Sequence, residues 1–187
     1  VQCEVQEVCP IIELPDTFEQ YLEQIDGKQR REIRRKLRRA EGAVDWYIVN
    51  ETHDLQEEID AFLELLAIST EEKRQFLELR GNRAFFKAMG PLMFEKGILE
   101  LTFLTVEGQR AAAMWNFAYR DRLLVYNSGL NPVDFLAYSP GIVLTAYSVR
   151  HAIEQGLKKY DFLRGDETYK YRMGAEDTTV HNLIINR

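Results

Sequence analysis

The chain has 187 residues, 45% hydrophobic and 29% charged; that is enough to bury the core of one domain, and a composition too apolar for a disordered segment. No run approaches the roughly 18–20 apolar residues of a membrane-spanning helix, and no basic-then-apolar start marks a secretion signal, so a cytoplasmic protein is expected. The net charge of −6 is uneven: Lys28 to Arg39 carries eight cations against Glu32 alone, a local +7 that leaves about −13 elsewhere and points to a local anionic partner rather than general nucleic-acid affinity.

In chain order, Val1 to Leu14 alternates loosely up to Pro15 and reads as an extended segment, a strand completing or joining a sheet. A start at Val1 rather than Met leads to the expectation of a fragment or processed piece. Asp16 or Thr17 caps a first helix whose Phe18, Tyr21, Leu22 and Ile25 keep helical spacing. After Gly27 comes the basic helix, with a narrow apolar stripe of Ile33, Leu37, Ala40 and Val44. Its arginines are either a solvated face or a wall for phosphates. The absence of interleaved aromatics argues against single-stranded nucleic acid.

Asp45 to Val49 reads as a strand, and Asp54 starts a helix that turns Ile59, Phe62, Leu63 and Leu66 inward. Ser69-Thr70-Glu71-Glu72 caps the next helix. Asn82 opens another, with Phe85, Phe86, Met89 and Met93 as core and Pro91 expected to bend or shorten it. Three strand-like runs follow, Ile98 to Val106, Arg110 to Tyr119 and Leu123 to Ser128. Their short connections demand antiparallel hairpins. A helix from Pro140 to Gln155, ended by Gly156, leads to a strand at Lys159 to Leu163. A short helical piece at Glu167 to Met173 and a strand at Thr179 to Ile185 complete the chain. A crossover through about 15 helical residues places the strand at Lys159 parallel to that at Leu123, and diverging parallel strands leave a crevice for a ligand.

Two features border that crevice. The run Tyr160-Asp161-Phe162-Leu163-Arg164-Gly165-Asp166-Glu167-Thr168-Tyr169-Lys170-Tyr171 carries charged and phenolic groups straight after a strand, which suits a site better than a core. Asp161 and Arg164 also fit a structural ion pair. Upstream, Tyr138-Ser139-Pro140-Gly141 opens the crossover helix, with Ser139 as N-cap and Pro140 as first helical residue. The free N–H groups there would face an anion, though a well-capped helix explains the same residues. Cys3 and Cys9, and three scattered histidines, match no zinc or metalloprotease spacing, so no metal is expected. A nucleophilic-serine elbow and a phosphate-binding loop ending in Gly-Lys-Ser/Thr are both absent.

The meander, the Tyr-Ser-Pro-Gly helix start and the Asp161-Phe162-Leu163-Arg164-Gly165-Asp166 run with Tyr169-Lys170 resemble the CelD-like acetyltransferases of the GNAT superfamily, relatives of the FemAB aminoacyltransferases. The opening Leu14-Pro15-Asp16-Thr17-Phe18 and its Arg-rich sequel resemble the stretch before that domain, so the likeness spans nearly the whole chain. It implies an α/β (α+β) GNAT-like fold over residues 1–187: a mixed, mostly antiparallel central sheet flanked by helices, its central parallel pair splayed. Residues 1–44 would form the junction to a missing N-terminal half.

The implied activity is transfer of an acetyl or other acyl group from acyl-CoA to an amine on a small molecule or sugar, in a family linked to envelope and exopolysaccharide pathways. The implied catalytic residues are Asp161 or Asp166 as base, with Tyr169 and Lys170. Arg164, Tyr138 and Asn127 would bind substrate, and Ser128, Ser139, Pro140 and Gly141 the CoA, a backbone N–H near Asn127 or Ser128 serving as oxyanion donor. The repeated glycines usual before the crossover helix are missing here. That departure keeps open a Fem-like aminoacyltransferase fed by charged tRNA, with the basic helix as RNA contact, or a non-catalytic binding domain.

Overall fold

The strands form because apolar residues alternate with, or run between, tight turns, and the helices because capping side chains meet their first N–H groups. A computed structural model of the chain describes residues 1–185. Strand β1 (Gln2–Glu13) precedes helices α1 (Phe18–Gln24) and α2 (Gly27–Ala40), then β2 (Val44–Ile48) and helices α3 (Leu55–Ser69), α4 (Glu71–Glu78) and α5 (Asn82–Glu95). The meander β3 (Leu99–Val106), β4 (Gln109–Tyr119) and β5 (Arg122–Leu130) leads through a 3₁₀ turn at Leu136–Tyr138 to α6 (Pro140–Glu154). Strand β6 (Lys159–Asp161), helix α7 (Thr168–Arg172) and strand β7 (Glu176–Ile184) follow.

Thr17 caps α1 in a reciprocal pair with Gln20. Asp26, Asp54 and Thr70 cap α2, α3 and α4 through their side chains, each satisfying N–H groups that a helix leaves free. Two sequence expectations need correction. Pro91 does not shorten helix α5, which runs through it to Glu95; Gly90 lets the helix lie against Trp115 and Ile59, where a Cβ would stand 2.9 and 2.7 Å away. Val44 belongs to β2 rather than the α2 stripe, because Glu41 already ends that helix in an extended conformation.

One sheet takes the order β2-β3-β4-β5-β6-β1-β7. Every pairing is antiparallel except β5 with β6. The N-terminal strand therefore lies between β6 and β7, joining the sheet as its alternation suggested. Helices α3, α4 and α5 cover one face, with Ile59, Phe62, Leu63, Leu66, Phe86 and Trp115 fully buried between. Helices α1, α2 and α6 cover the other, packing Tyr21, Leu22, Ile33, Val143, Val149 and Tyr160.

The parallel pair holds for three residues only, Arg122–Leu124 against Lys159–Asp161. Beyond it the strands part for two local reasons. In β5, Trp115 faces Asn127 while Asn116 faces Val125, so Tyr126 is the extra residue of a bulge, which bends and twists the strand. In β6, the chain turns away at Leu163, whose φ of 54° is the left-handed region that costs a leucine about 1 kcal/mol or more. Asp161 holds that turn by accepting the Leu163 N–H at 2.8 Å. The loop then follows β1, Phe162 N–H donating to Pro10 C=O and Gly165 N–H to Val8 C=O.

Candidate active site at the parting of β5 and β6

Past Leu124, β5 has no strand on its β6 side, so the outward backbone groups of alternate residues need other partners. Ser128 and Leu130 are those residues. Ser128 C=O accepts Lys73 Nζ at 2.5 Å, Ser128 N–H donates to Asn127 Oδ1 at 2.9 Å, and Leu130 N–H donates to Ser69 Oγ at 3.0 Å. Each is met by a side chain, not by a neighbouring strand. Gly129 brings the α3–α4 junction close enough for this: a Cβ there would lie 2.5 Å from Leu66 N and 2.6 Å from Leu65 C.

Beside this edge lies a cavity of about 380 Å³, lined by Ala112, Ala113 and Met114 of β4, Ser128 to Leu130, the first turn of α6, Ser69, Thr70, Lys73 and Tyr169. Its walls are mostly apolar. The polar exceptions come from five elements, Ser69 of α3, Lys73 of α4, Ser128 of β5, Thr145 of α6 and Tyr169 of α7. Tyr169 packs edge-on against Phe162, its centroid 5.8 Å away, and its hydroxyl has no hydrogen-bond partner among the described residues. Burial pushes its pKa up to about 12, so the phenol keeps its proton at neutral pH.

Of the residues singled out in the sequence, Ser128, Ser139, Pro140, Gly141 and Tyr169 line the cavity. Asn127 borders it through its bond to Ser128 N–H. Ser139 does precede α6, but with φ 53° and no side-chain bond to the first turn. Its carbonyl, not its hydroxyl, receives Ile142 and Val143 N–H. Tyr138 is half-buried and packs against the core beneath α6.

The remaining candidates have other occupations. Lys170 is 2% exposed; its Nζ donates to Arg164 C=O at 3.0 Å and Gly165 C=O at 3.1 Å and forms an ion pair with Glu167 Oε2 at 2.7 Å. An ammonium has three donors, so none is left for a substrate in this arrangement. Asp161 is buried and committed to Leu163 N–H, with Arg122 Nη1 at 3.6 Å. The suggested Asp161–Arg164 pair does not form: Arg164 is exposed and meets Glu7 at 3.4 Å. Asp166 is exposed and not among the cavity's lining residues. The run reads as charged in sequence because it must fold back on itself, and Lys170 is the nail.

Sequence reasoning missed Ser69, Thr70 and Lys73. The first two were legible only as a helix cap, and Lys73 sits in a charged run that looks solvated. Glu167, between Lys170 and the neighbouring charge of Lys73, has its pKa held down; burial opposes this, while the Lys170 bond and both lysine charges favour the carboxylate. Among the described residues no three His, Cys, Asp or Glu side chains gather as a metal site, and no helix is long and apolar enough to cross a membrane.

Comparison with known proteins fits this fold. The solved structure of FemX shares the fold over 93% of this chain and 60% of its own, with a TM-score of 0.74 at 12% identity. The C-terminal domain of a candidate lysylphosphatidylglycerol synthetase from Agrobacterium fabrum matches 96% of this chain and 60% of its own, with a TM-score of 0.64 at 9% identity. A GCN5-related N-acetyltransferase from Kribbella flavida matches 96% of this chain and 57% of its own, with a TM-score of 0.51 at 15% identity. This chain thus spans about 60% of the structures it resembles. No curated protein sequence matches it significantly. The family model described as acetyltransferase (GNAT) domain matches residues 27–171, more than three quarters of the chain, which belongs to that family.

Proposed function

We propose that the chain is an N-acyltransferase that takes an acetyl or other acyl group from a CoA thioester and passes it to the amine of a small molecule or amino sugar, including precursors of envelope or exopolysaccharide. The observation that carries this reading is the unpaired β5 edge at Ser128, facing a cavity that Tyr169 also lines. Such an edge suits a carrier arm that bears amides: an N–H of the arm can replace Lys73 at Ser128 C=O. The Gly141 N–H has no partner among the described residues and supports an anionic group at the start of α6, in place of repeated glycines.

Bound CoA supplies the activated acyl group, and this chain's residues do the rest. Asn127, by swinging off Ser128, frees that N–H to stabilise negative charge developing on the thioester oxygen. Tyr169, protonated and desolvated, gives its proton to the departing sulfur. No carboxylate lines the cavity, so the attacking amine loses its proton to water at the rim rather than to Asp161 or Asp166. Calorimetric titration with acetyl-CoA and a thiol-release assay over a panel of amino sugars and small amines test the reading. Binding and amine-dependent thiol release are expected. A folded protein that binds no acyl-CoA would instead be a non-catalytic binding domain.

One observation favours a second reading, aminoacyl transfer from charged tRNA. On α2, Lys28, Arg30, Arg31, Arg38 and Arg39 have no carboxylate within 4.0 Å among the described residues, whereas Arg34, Arg35 and Lys36 do. Helix α2 packs against α6 and the 3₁₀ turn before it, beside the cavity's anion-facing end. This reading predicts tRNA binding that weakens steeply with salt and is lost on Arg31→Glu with Arg38→Glu.

A further inference from the structure

Lys73 has an unusual position for a surface helix. It lies in the first turn of α4, where the helix dipole disfavours a cation. Its neighbour Arg74 points outward and pairs with Glu71 and Glu78, but Lys73 turns inward and lines the cavity. Its Nζ rests on Ser128 C=O, at the strand edge where the proposed donor's thioester would lie. No carboxylate stands within 4.0 Å of it among the described residues, and the acid facing it, Glu167, is already bonded to Lys170. Burial lowers its pKa from the usual lysine value, and the more distant Glu167 charge only partly opposes this. A desolvated lysine in an apolar pocket is a nucleophile.

We propose that Lys73 is a self-acylation site: with no acceptor amine present, its Nζ takes the acyl group from the bound donor. This rests on the reading of the cavity as an acyl-CoA site. In the step, Lys73 Nζ in its neutral form bonds to the thioester carbonyl carbon and the carbon–sulfur bond breaks. The thiolate is protonated, with the proton lost by Nζ balancing it, so the products are an amide on Lys73 and free CoA thiol. Nothing is oxidised or reduced. The amide keeps one N–H, enough to continue donating to Ser128 C=O, while the acyl group projects into the apolar cavity. Such an adduct would occupy the donor's own place, so the modified chain turns over more slowly.

The test incubates the full chain with acetyl-CoA and no acceptor, then maps acetyl-lysine by peptide mass spectrometry, with calorimetric binding of acetyl-CoA measured on the same sample. Lys73 should be acetylated on the order of tenfold faster than the exposed Lys28 and Lys96. Desulfo-CoA should suppress the Lys73 mark and leave the exposed lysines unchanged, and Lys73→Arg should abolish it. If acetyl-CoA binds but Lys73 is marked no faster than exposed lysines, self-acylation is wrong and the transferase reading stands. If acetyl-CoA does not bind a folded chain, the transferase reading falls and takes this inference with it.

Discussion

Replacing Lys170 by Met separates a structural role from a catalytic one. The substitution keeps the length and most of the apolar volume of the side chain but removes an ammonium that is 2% exposed and makes two hydrogen bonds and an ion pair. Two of the partners are the carbonyls of Arg164 and Gly165, which face inward and would be left without a donor, at about 1–3 kcal/mol each. The third, Glu167, has a side chain 57% exposed; water can take over there, so its loss is discounted to well under the 3–5 kcal/mol of a broken buried pair. Against this stands the desolvation cost of the ammonium itself, which the variant no longer bears. The balance is a destabilisation of about 3 kcal/mol. For a chain of this size each kcal/mol moves the midpoint by roughly 2–4 °C, giving a fall of about 6–12 °C.

Thermal unfolding followed by circular dichroism reads that number, and a thiol-release assay run well below the lower midpoint reads activity. Large destabilisation with substantial residual turnover at low temperature is expected. A midpoint within about 2 °C of the parent, together with loss of turnover, would refute the structural assignment and return Lys170 to the chemistry.

Three further predictions follow from the same geometry. Tyr169→Phe should fold normally and lower kcat by about 10²–10⁴-fold with little change in donor affinity; in the parent, a phenol whose pKa is about 12 should cause no alkaline loss of activity below pH ~10, since it stays protonated there. Gly129→Ala should destabilise by several kcal/mol or fail to fold solubly, because its Cβ meets the α3 backbone at 2.5 Å, and urea titration measures the loss. His151 lies with Nε2 3.5 Å from Glu100 Oε2, and its pKa is raised, mainly by the Glu100 carboxylate beside it. The charged pair's stabilisation is therefore complete below about pH 6.5 and is lost as pH rises through the higher native value. His151→Gln should flatten that decline in a series of melting curves.

Much of the fold is readable from spacing alone. Ile59, Phe62, Leu63 and Leu66 repeat at helical intervals and are all fully buried; two short turns between apolar runs fix the β3–β5 meander; and one helix-length connection makes β6 parallel to β5. Spacing also placed the Pro140 helix start at the cavity. It had less to say about the polar residues, because their roles depend on partners far away in sequence. Lys73 reaches the cavity only because Gly129 admits the α3 backbone, a contact between residues more than fifty positions apart. Asp166 and Glu167 are adjacent acids of similar chemistry, yet only Glu167 meets Lys170. That choice is made by Gly165, whose φ of 109° turns the chain so that Glu167 folds back over it.

The dense charge after β6 has a mechanical origin. Past its three paired residues the chain leaves β5 and keeps only β1 beside it, so carbonyls of the following loop have no ladder to join. An ammonium can meet three acceptors at once, and here it does. Asp161 performs the matching task for an N–H, holding Leu163 in a backbone region that leucine avoids. Both residues look reactive in a sequence because they are charged and sit at the end of a strand. In space, their hydrogen-bonding capacity serves the turn. A buried polar group with a complete set of partners gains nothing by engaging a ligand, since each new bond costs an old one. Tyr169 has a hydroxyl with no partner among the described residues and a place on the cavity wall, so a ligand bond there breaks no bond within the protein. The same criterion favours Lys73, whose single bond at the strand edge is one that an arriving amide can replace. Unfilled hydrogen-bonding capacity, more than charge, therefore marks the candidate site in this domain.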